Sequence, residues 1–338
     1  MKKLTLFALC ALCLCGVLFA FDGGATVANT ATPSSSDNLK TISVNDATVV
    51  TAWCRQPIST LGTFAAEGNY KLGLNLPTLD AGLAALKEEG NITHTVDITL
   101  VKANLLFPVG TSNSLKVEAG RFSVADATGT IYNMTADGAF VTYTSRYFTA
   151  AGYGAFTGLL NSLTTSINGT EGTYDEPGKI YDIKATPKFA VVLGRATAPS
   201  LIKGQTFSFD GIACVNVDGN EAHRFYGTLS ANGPIVPKLY YGLMGSGSLV
   251  PESPAKTAQK SGLMAKGNIA WYPGYRSASL SATAVYASKG FSTFSVGSPL
   301  ANGSLPWGDG QDVMQAQVGG SIKPITDLLC SLTGDLIL

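Results

Sequence analysis

Thirteen consecutive residues, Thr63 to Asn75 (TFAAEGNYKLGLN), alternate with a period of two. Phe64, Ala66, Gly68, Tyr70, Leu72 and Leu74 fall on one face, and Thr63, Ala65, Glu67, Asn69, Lys71 and Asn75 fall on the other. One face is apolar and the other hydrated. The run exceeds the usual five or six residues of a soluble strand and approaches what a tilted strand needs to cross a bilayer with an overhang.

The format recurs. In HTVDITLVKANLLF, Val96, Ile98 and Leu100 oppose Thr95, Asp97 and Thr99, after which the phase slips as a bulge would make it slip. SLKVEAG sets Leu115, Val117 and Ala119 against Lys116 and Glu118, and GAFVTYTSRYF sets Ala139, Val141, Tyr143 and Tyr147 against Thr142, Thr144 and Arg146. Weaker versions follow in QTFSFDGIACVNVDG, ASLSATAVYAS and DVMQAQVGGSI, separated by turn-forming stretches such as NGTEGTYDEPG. By this template the chain holds about a dozen strand-like segments.

The first twenty residues, MKKLTLFALCALCLCGVLFA, have the build of an export signal: Lys2 and Lys3, an apolar run from Leu4 to Phe19, and small Ala20 before Phe21. Leu18 is bulkier than the residue usual three positions before such a cut. Cys15 followed by Gly16 is the best lipid-attachment candidate, but the large Leu14 before it argues against acylation. After Phe21 the apolar runs, such as Phe189 to Leu193, are far shorter than the roughly 20 residues of a membrane helix. If the chain spans a membrane, it does so as a barrel.

Charged residues are only 14% of the chain and the net charge is zero, which gives no basis for a nucleic-acid partner. Thirty-eight glycines, with Tyr, Phe, Ser and Thr throughout, suit strands joined by tight turns. Residues 21–60, rich in small polar residues and containing Pro33, read as an irregular N-terminal leader, and residues 61–338 as the β-barrel domain. One helix is expected, in LPTLDAGLAALKEEG, with Thr78 as cap, Asp80 at the positive end and Gly90 as the stop. It would lie in a loop or pack against the barrel.

Catalytic chemistry has little to stand on. After the signal the chain has only His94 and His223, no G-x-S-x-G elbow, and Cys54, Cys214 and Cys330 too widely spaced for a metal or redox motif. VDGNEAH, with Asp218 and Glu221, lacks a complete calcium-loop pattern, and GSGS lacks the lysine and helix of a phosphate loop. The chain therefore reads as a non-enzyme without cofactor or metal.

Alternation alone also fits a soluble sandwich. Three features tilt the choice towards an antiparallel transmembrane β-barrel of about 12 to 16 strands: strand length, small or hydrogen-bonding residues opposite the apolar set, and aromatic pairs near strand ends. Those pairs, Tyr147 and Phe148, Tyr240 and Tyr241, Trp271 and Tyr272, fit interface girdles. The C-terminal TDLLCSLTGDLIL lacks a terminal aromatic, so either its last strand departs from the common habit or the sequence stops short of the closing strands.

Between Gly120 and Leu160, GRFSVADATG is followed by ADG and AGYGAFTGLL, and FDGGATVANT follows the signal. This pattern resembles spirochaete, especially treponemal, outer-membrane β-barrel proteins of porin-like type, strongly over about forty residues and by texture elsewhere. The resemblance implies an outer-membrane barrel and a pore. From the residues themselves, Arg121, Asp126 and Asp137 would form a lumen or rim charge cluster, or Arg121 and Asp126 a local structural pair at a strand end.

The expected function is passive diffusion of small hydrophilic solutes across the outer membrane, with Glu67, Lys71, Asp97, Lys116, Glu118 and Arg146 facing the lumen and mixed charge giving weak selectivity. Expected partners are outer-membrane lipid, the solutes, the barrel-assembly machinery and copies of the chain in a homo-oligomer. Two other readings stay open. One is a secreted, periplasmic or surface-exposed β-rich binding protein or adhesin; the other is a small closed barrel plugged by the Thr78 to Gly90 helix.

Overall fold

The computed structural model describes residues 22–36, 41–76, 92–157, 166–167, 170–171, 188–217, 219, 222–251, 261–274, 277–294, 312–325 and 328–337. The expected export signal at residues 1–20 and the expected helix at Thr78 to Gly90 lie outside the described residues. Fifteen strands form one continuous sheet. In chain order these are β1 (Asp22–Ser36), β2 (Thr41–Ser59), β3 (Gly62–Leu76), β4 (Ile92–Val109), β5 (Asn113–Ala125), β6 (Asn133–Thr144) and β7 (Thr149–Phe156). A small separate hairpin, β8 (Ser166–Ile167) and β9 (Thr170–Glu171), precedes the rest. Then come β10 (Phe189–Ile202), β11 (Gln205–Asn216), β12 (Arg224–Val236), β13 (Leu239–Leu249), β14 (Gly262–Trp271), β15 (Ser279–Ala287), β16 (Val313–Ile325) and β17 (Leu328–Ile337).

Every strand of the large sheet pairs antiparallel with its neighbours in sequence order, β7 passing directly to β10. Short turns at residues 60–61, 110–112, 145–148, 203–204 and 237–238 gather at one end. The strand ends joined by the longer connections, including 126–132, 157–188 and 288–312, lie at the other. An outer-membrane-type barrel has this asymmetry of short turns and long loops.

Residues 21–60 correct the expectation of an irregular leader, because β1 and β2 occupy most of that stretch and pair from Asp22↔Arg55 to Ser36↔Thr41. Their alternation is written in Ala, Thr and Val, whose small differences in hydropathy hide the period that Phe, Leu and Lys make plain in β3. Pro33 lies opposite Val44 in β1, the outermost strand of the described sheet, where a proline interrupts pairing with a single neighbour.

The bulge expected in β4 is present. Pairing with β3 shifts between Glu67↔Leu100 and Gly68↔Ile98, leaving Thr99 as the extra residue. Beyond it the faces exchange, so that Leu100 packs inward with the core while Val101 is exposed.

The sheet is curled. On its convex face large apolar side chains stand exposed, among them Val192, Leu229, Leu243 and Leu263 at 56–65%. Its concave face is buried near the long-connection end by Phe122, Met134, Tyr153, Phe189, Leu193, Ile212, Tyr226 and Val285. The apolar outward surface departs from the polar exterior of a soluble β protein.

Candidate functional site

The concave wall carries paired charges along neighbouring strands. Glu118 on β5 accepts hydrogen bonds from Lys102 Nζ on β4 at 2.8 Å and lies 3.0 Å from Lys116 Nζ two residues away on its own strand. Lys102 also stands 5.3 Å above the Phe122 ring, so its ammonium bridges the charged wall and the aromatic core.

Arg121 is directly opposite Asp137 in the β5–β6 register and donates to its carboxylate at 2.8 Å. Its Nε donates to the Ile98 carbonyl at 2.6 Å, beside the β4 bulge. The local partner of Arg121 is therefore Asp137; Asp126 does different work.

Asp126 opens the β5–β6 connection and holds it folded. Its Oδ1 accepts from the backbone of Ile131 at 2.9 Å and Tyr132 at 2.8 Å, and its Oδ2 accepts from the Thr128 backbone at 2.9 Å and from the Thr128 hydroxyl. Gly129, with φ of 64°, supplies the left-handed step that lets the chain double back. The folded connection then reaches across the concavity. Arg195 on β10 donates to the Ala125 carbonyl at 2.6 Å and to Asp210 on β11 at 2.9 Å, and Asp210 accepts from the Ala127 backbone.

Aromatic packing completes this inward loop. Tyr132 stacks on Phe294 of the β15–β16 connection with centroids 5.8 Å apart, and Phe294 meets Phe189 edge-on at 5.0 Å. The Phe294 backbone donates to the Ile131 carbonyl at 3.0 Å. Connections from opposite parts of the sheet thus meet inside the curl and narrow it. Burial of Tyr132 pushes its phenol well above the ordinary tyrosine range.

The six residues expected to line a lumen divide. Lys116 and Glu118 come together on the concave face, Asp97 is buried at 6% exposure, and Glu67 accepts from the Thr99 hydroxyl at 2.7 Å. Lys71 is exposed on β3. Arg146 stands in the turn at residues 145–148, outside the strand wall, with its guanidinium 5.7 Å from the Tyr147 ring. Lys102, Arg195 and Asp210 were missed as site residues. Arg195 is the single charge in the apolar and small-residue run VVLGRATA, a signal of a partnered inward side chain.

The aromatic pairs expected at interfaces collect at the short-turn end. Tyr147, Phe148, Tyr240, Trp271 and Tyr272 are all exposed there, with the Tyr240 and Tyr272 rings 5.8 Å apart. Tyr241 is only partly exposed; exposed aromatics near strand ends are the arrangement of an interface girdle.

A long antiparallel meander with this polarity has solved counterparts. OccK9 (OpdG) of Pseudomonas aeruginosa superposes with a TM-score of 0.52 at 11% identity, covering 92% of this chain and 80% of that one. OpdQ of the same organism gives 0.51 at 10% identity, covering 94% and 81%. The described sheet shares the fold of these two proteins. The outer membrane protein OpdK, also from P. aeruginosa, aligns at 0.48 and 9% identity over 88% of this chain and 76% of that one. No protein-family model and no curated protein matches this sequence.

Proposed function

We propose that the chain closes into an outer-membrane barrel through which small hydrophilic solutes diffuse passively. The observation that carries this reading is the apolar exterior of the sheet: exposed Leu, Val and Phe cover the convex face, while ion pairs and a pinned inward loop lie beside the core on the concave one. Glu67, Lys71, Asp97, Lys116 and Glu118 then belong to the water-filled side together with Lys102, while the loop at 126–132 narrows the path. Lysines and carboxylates alternate along that wall, so selectivity between ions is weak.

Closure follows from the cost of open edges, since each unpaired backbone group in hydrocarbon costs several kcal/mol. Fifteen antiparallel strands leave β1 and β17 running in the same direction. A direct seam between them is parallel, whereas an antiparallel seam takes one further strand. The motif from Gly120 to Leu160 supports a spirochaete porin-like assignment, the N-terminal twenty residues support export, and delivery by the barrel-assembly machinery and homo-oligomer formation complete the proposal.

Liposome swelling tests the diffusion reading. Vesicles containing the folded protein should swell at rates that fall with the size of the added sugar or amino acid. Protein-containing vesicles that swell no faster than empty ones, while a known porin works in parallel, would refute it.

A further inference from the structure

We propose that the convex face of hairpins β6–β7, β10–β11 and β12–β13 holds one anionic phospholipid, its acyl chains in an apolar groove and its headgroup at the cationic turns that carry Arg146, Lys203 and Lys238, the phosphate lying between Lys203 and Lys238. This rests on the membrane reading above and adds a specific lipid site to it.

The groove, of about 1000 Å³, is built from two adjacent rows of the sheet register. One row runs Phe209↔Leu229↔Gly245↔Ala265↔Tyr286, and the next runs Phe207↔Ala231↔Leu243↔Gly267. Ala and Gly make the floor, while Phe207, Phe209, Leu229, Leu243 and Tyr286 rise as walls. A convex surface facing lipid has no general need of such a furrow. Its volume stands at the top of the roughly 300–1,000 Å³ of ligand clefts, and its walls are apolar, which suits hydrocarbon chains.

The groove begins at the short-turn end, where Phe148 lines it from the same turn as Arg146. Each of the three consecutive hairpins that frame it carries one cation in its turn: Arg146 in 145–148, Lys203 in 203–204 and Lys238 in 237–238. These three turns contain no Asp or Glu. With strands about 4.8 Å apart, the 203–204 and 237–238 turns, brought together where Gly204 lies against Pro234, set Lys203 and Lys238 within reach of one phosphate through their long side chains. The 145–148 turn stops short of 203–204 in the register, since Thr149 pairs with Thr197 while β10 runs on to Ile202, so Arg146 adds charge beside the headgroup rather than on the phosphate.

Lys238 Nζ donates to the Pro273 carbonyl at 2.9 Å, which orients the ammonium without neutralising it. Exposed Tyr147 lies beside Arg146, and exposed Tyr272 donates its backbone N–H to the Lys238 carbonyl, so aromatics of the kind found at headgroup depth accompany the cations. Positive charge directly above an apolar furrow complements an anionic glycerophospholipid; a zwitterionic lipid would add its own cation to the cluster.

Native mass spectrometry of the full-length protein in detergent, titrated with phosphatidylglycerol or phosphatidylcholine of identical chains, reads the site. Phosphatidylglycerol should bind with a stoichiometry of one and about tenfold more tightly than phosphatidylcholine. The triple variant Arg146→Glu, Lys203→Glu, Lys238→Glu should lose that preference while keeping a heat-modifiable band on denaturing gels. Ala231→Trp, which fills the furrow, should weaken both lipids. Equal binding of the two lipids by folded protein, or a preference untouched by charge reversal, would overturn the lipid site and leave the pore reading standing. Failure of the wild-type protein to show a heat-modifiable, membrane-extracted form would instead overturn the membrane reading, and the lipid site with it.

Discussion

Asp126 accepts hydrogen bonds on both carboxylate oxygens from four donors of its own loop, three of them backbone N–H groups. Its side chain therefore substitutes for the strand pairing that the chain gives up between β5 and β6. Asp126→Ala leaves the buried Ile131 and Tyr132 amides without that acceptor, at about 1–3 kcal/mol for each group left unsatisfied. The heat-induced mobility transition should fall by several degrees, and single-channel traces should become noisier as the loop loosens. Unchanged stability and quiet traces would show that the loop is held by the aromatic contacts alone. Tyr132 gives a second test. Its buried phenol keeps its proton above the ordinary tyrosine pKa of about 10, whereas the unfolded side chain ionises there, so folded-state stability is lost as pH rises past that value. Tyr132→Phe should retain more stability at alkaline pH than wild type, measured by the same gel transition across a pH series.

At the scale of elements, β3 and the β4 bulge were legible because Phe, Tyr, Leu, Glu and Lys mark their faces with large differences in hydropathy. β1 and β2 were not, since Thr, Ala and Ser serve both lipid-facing and inward positions nearly equally. The inward loop was half legible. ADATG announces an Asx-type turn, but the partners that pin it, Arg195 and Asp210, lie seventy and more residues away, and no local pattern specifies such a contact. Phe291 and Phe294 are buried in a connection, and apolar residues in a segment of that kind, where side chains are usually hydrated, were the available clue. Glycines now take on distinct meanings. A Cβ at Gly120, whose φ is 122°, would lie 2.0 Å from the Val101 carbonyl oxygen, whereas one at Gly194 meets nothing within 4 Å. Gly120→Val should abolish or strongly reduce the folded band, at a cost of at least about 3 kcal/mol from strain and overpacking, while Gly194→Val should fold. Equal folding yields of the two would contradict the close β4–β5 approach.

For the whole molecule, the apolar exterior and the ion pairs of the concave face are what the proposed barrel needs to stand between bilayer and water. Glu118 sits between two lysines on the proposed water side, so Glu118→Gln removes one negative charge and leaves Lys102 and Lys116 uncompensated. Reversal potentials under a salt gradient should move towards anion selectivity, and no shift would remove this triad from the ion path. The pore itself is tested most directly by planar-bilayer recording from detergent-extracted, heat-modifiable protein. Discrete, reproducible conductance steps are predicted, persisting over a range of voltages; a bilayer that stays silent after insertion of folded protein, while a known porin conducts under the same conditions, would contradict passive diffusion through this chain.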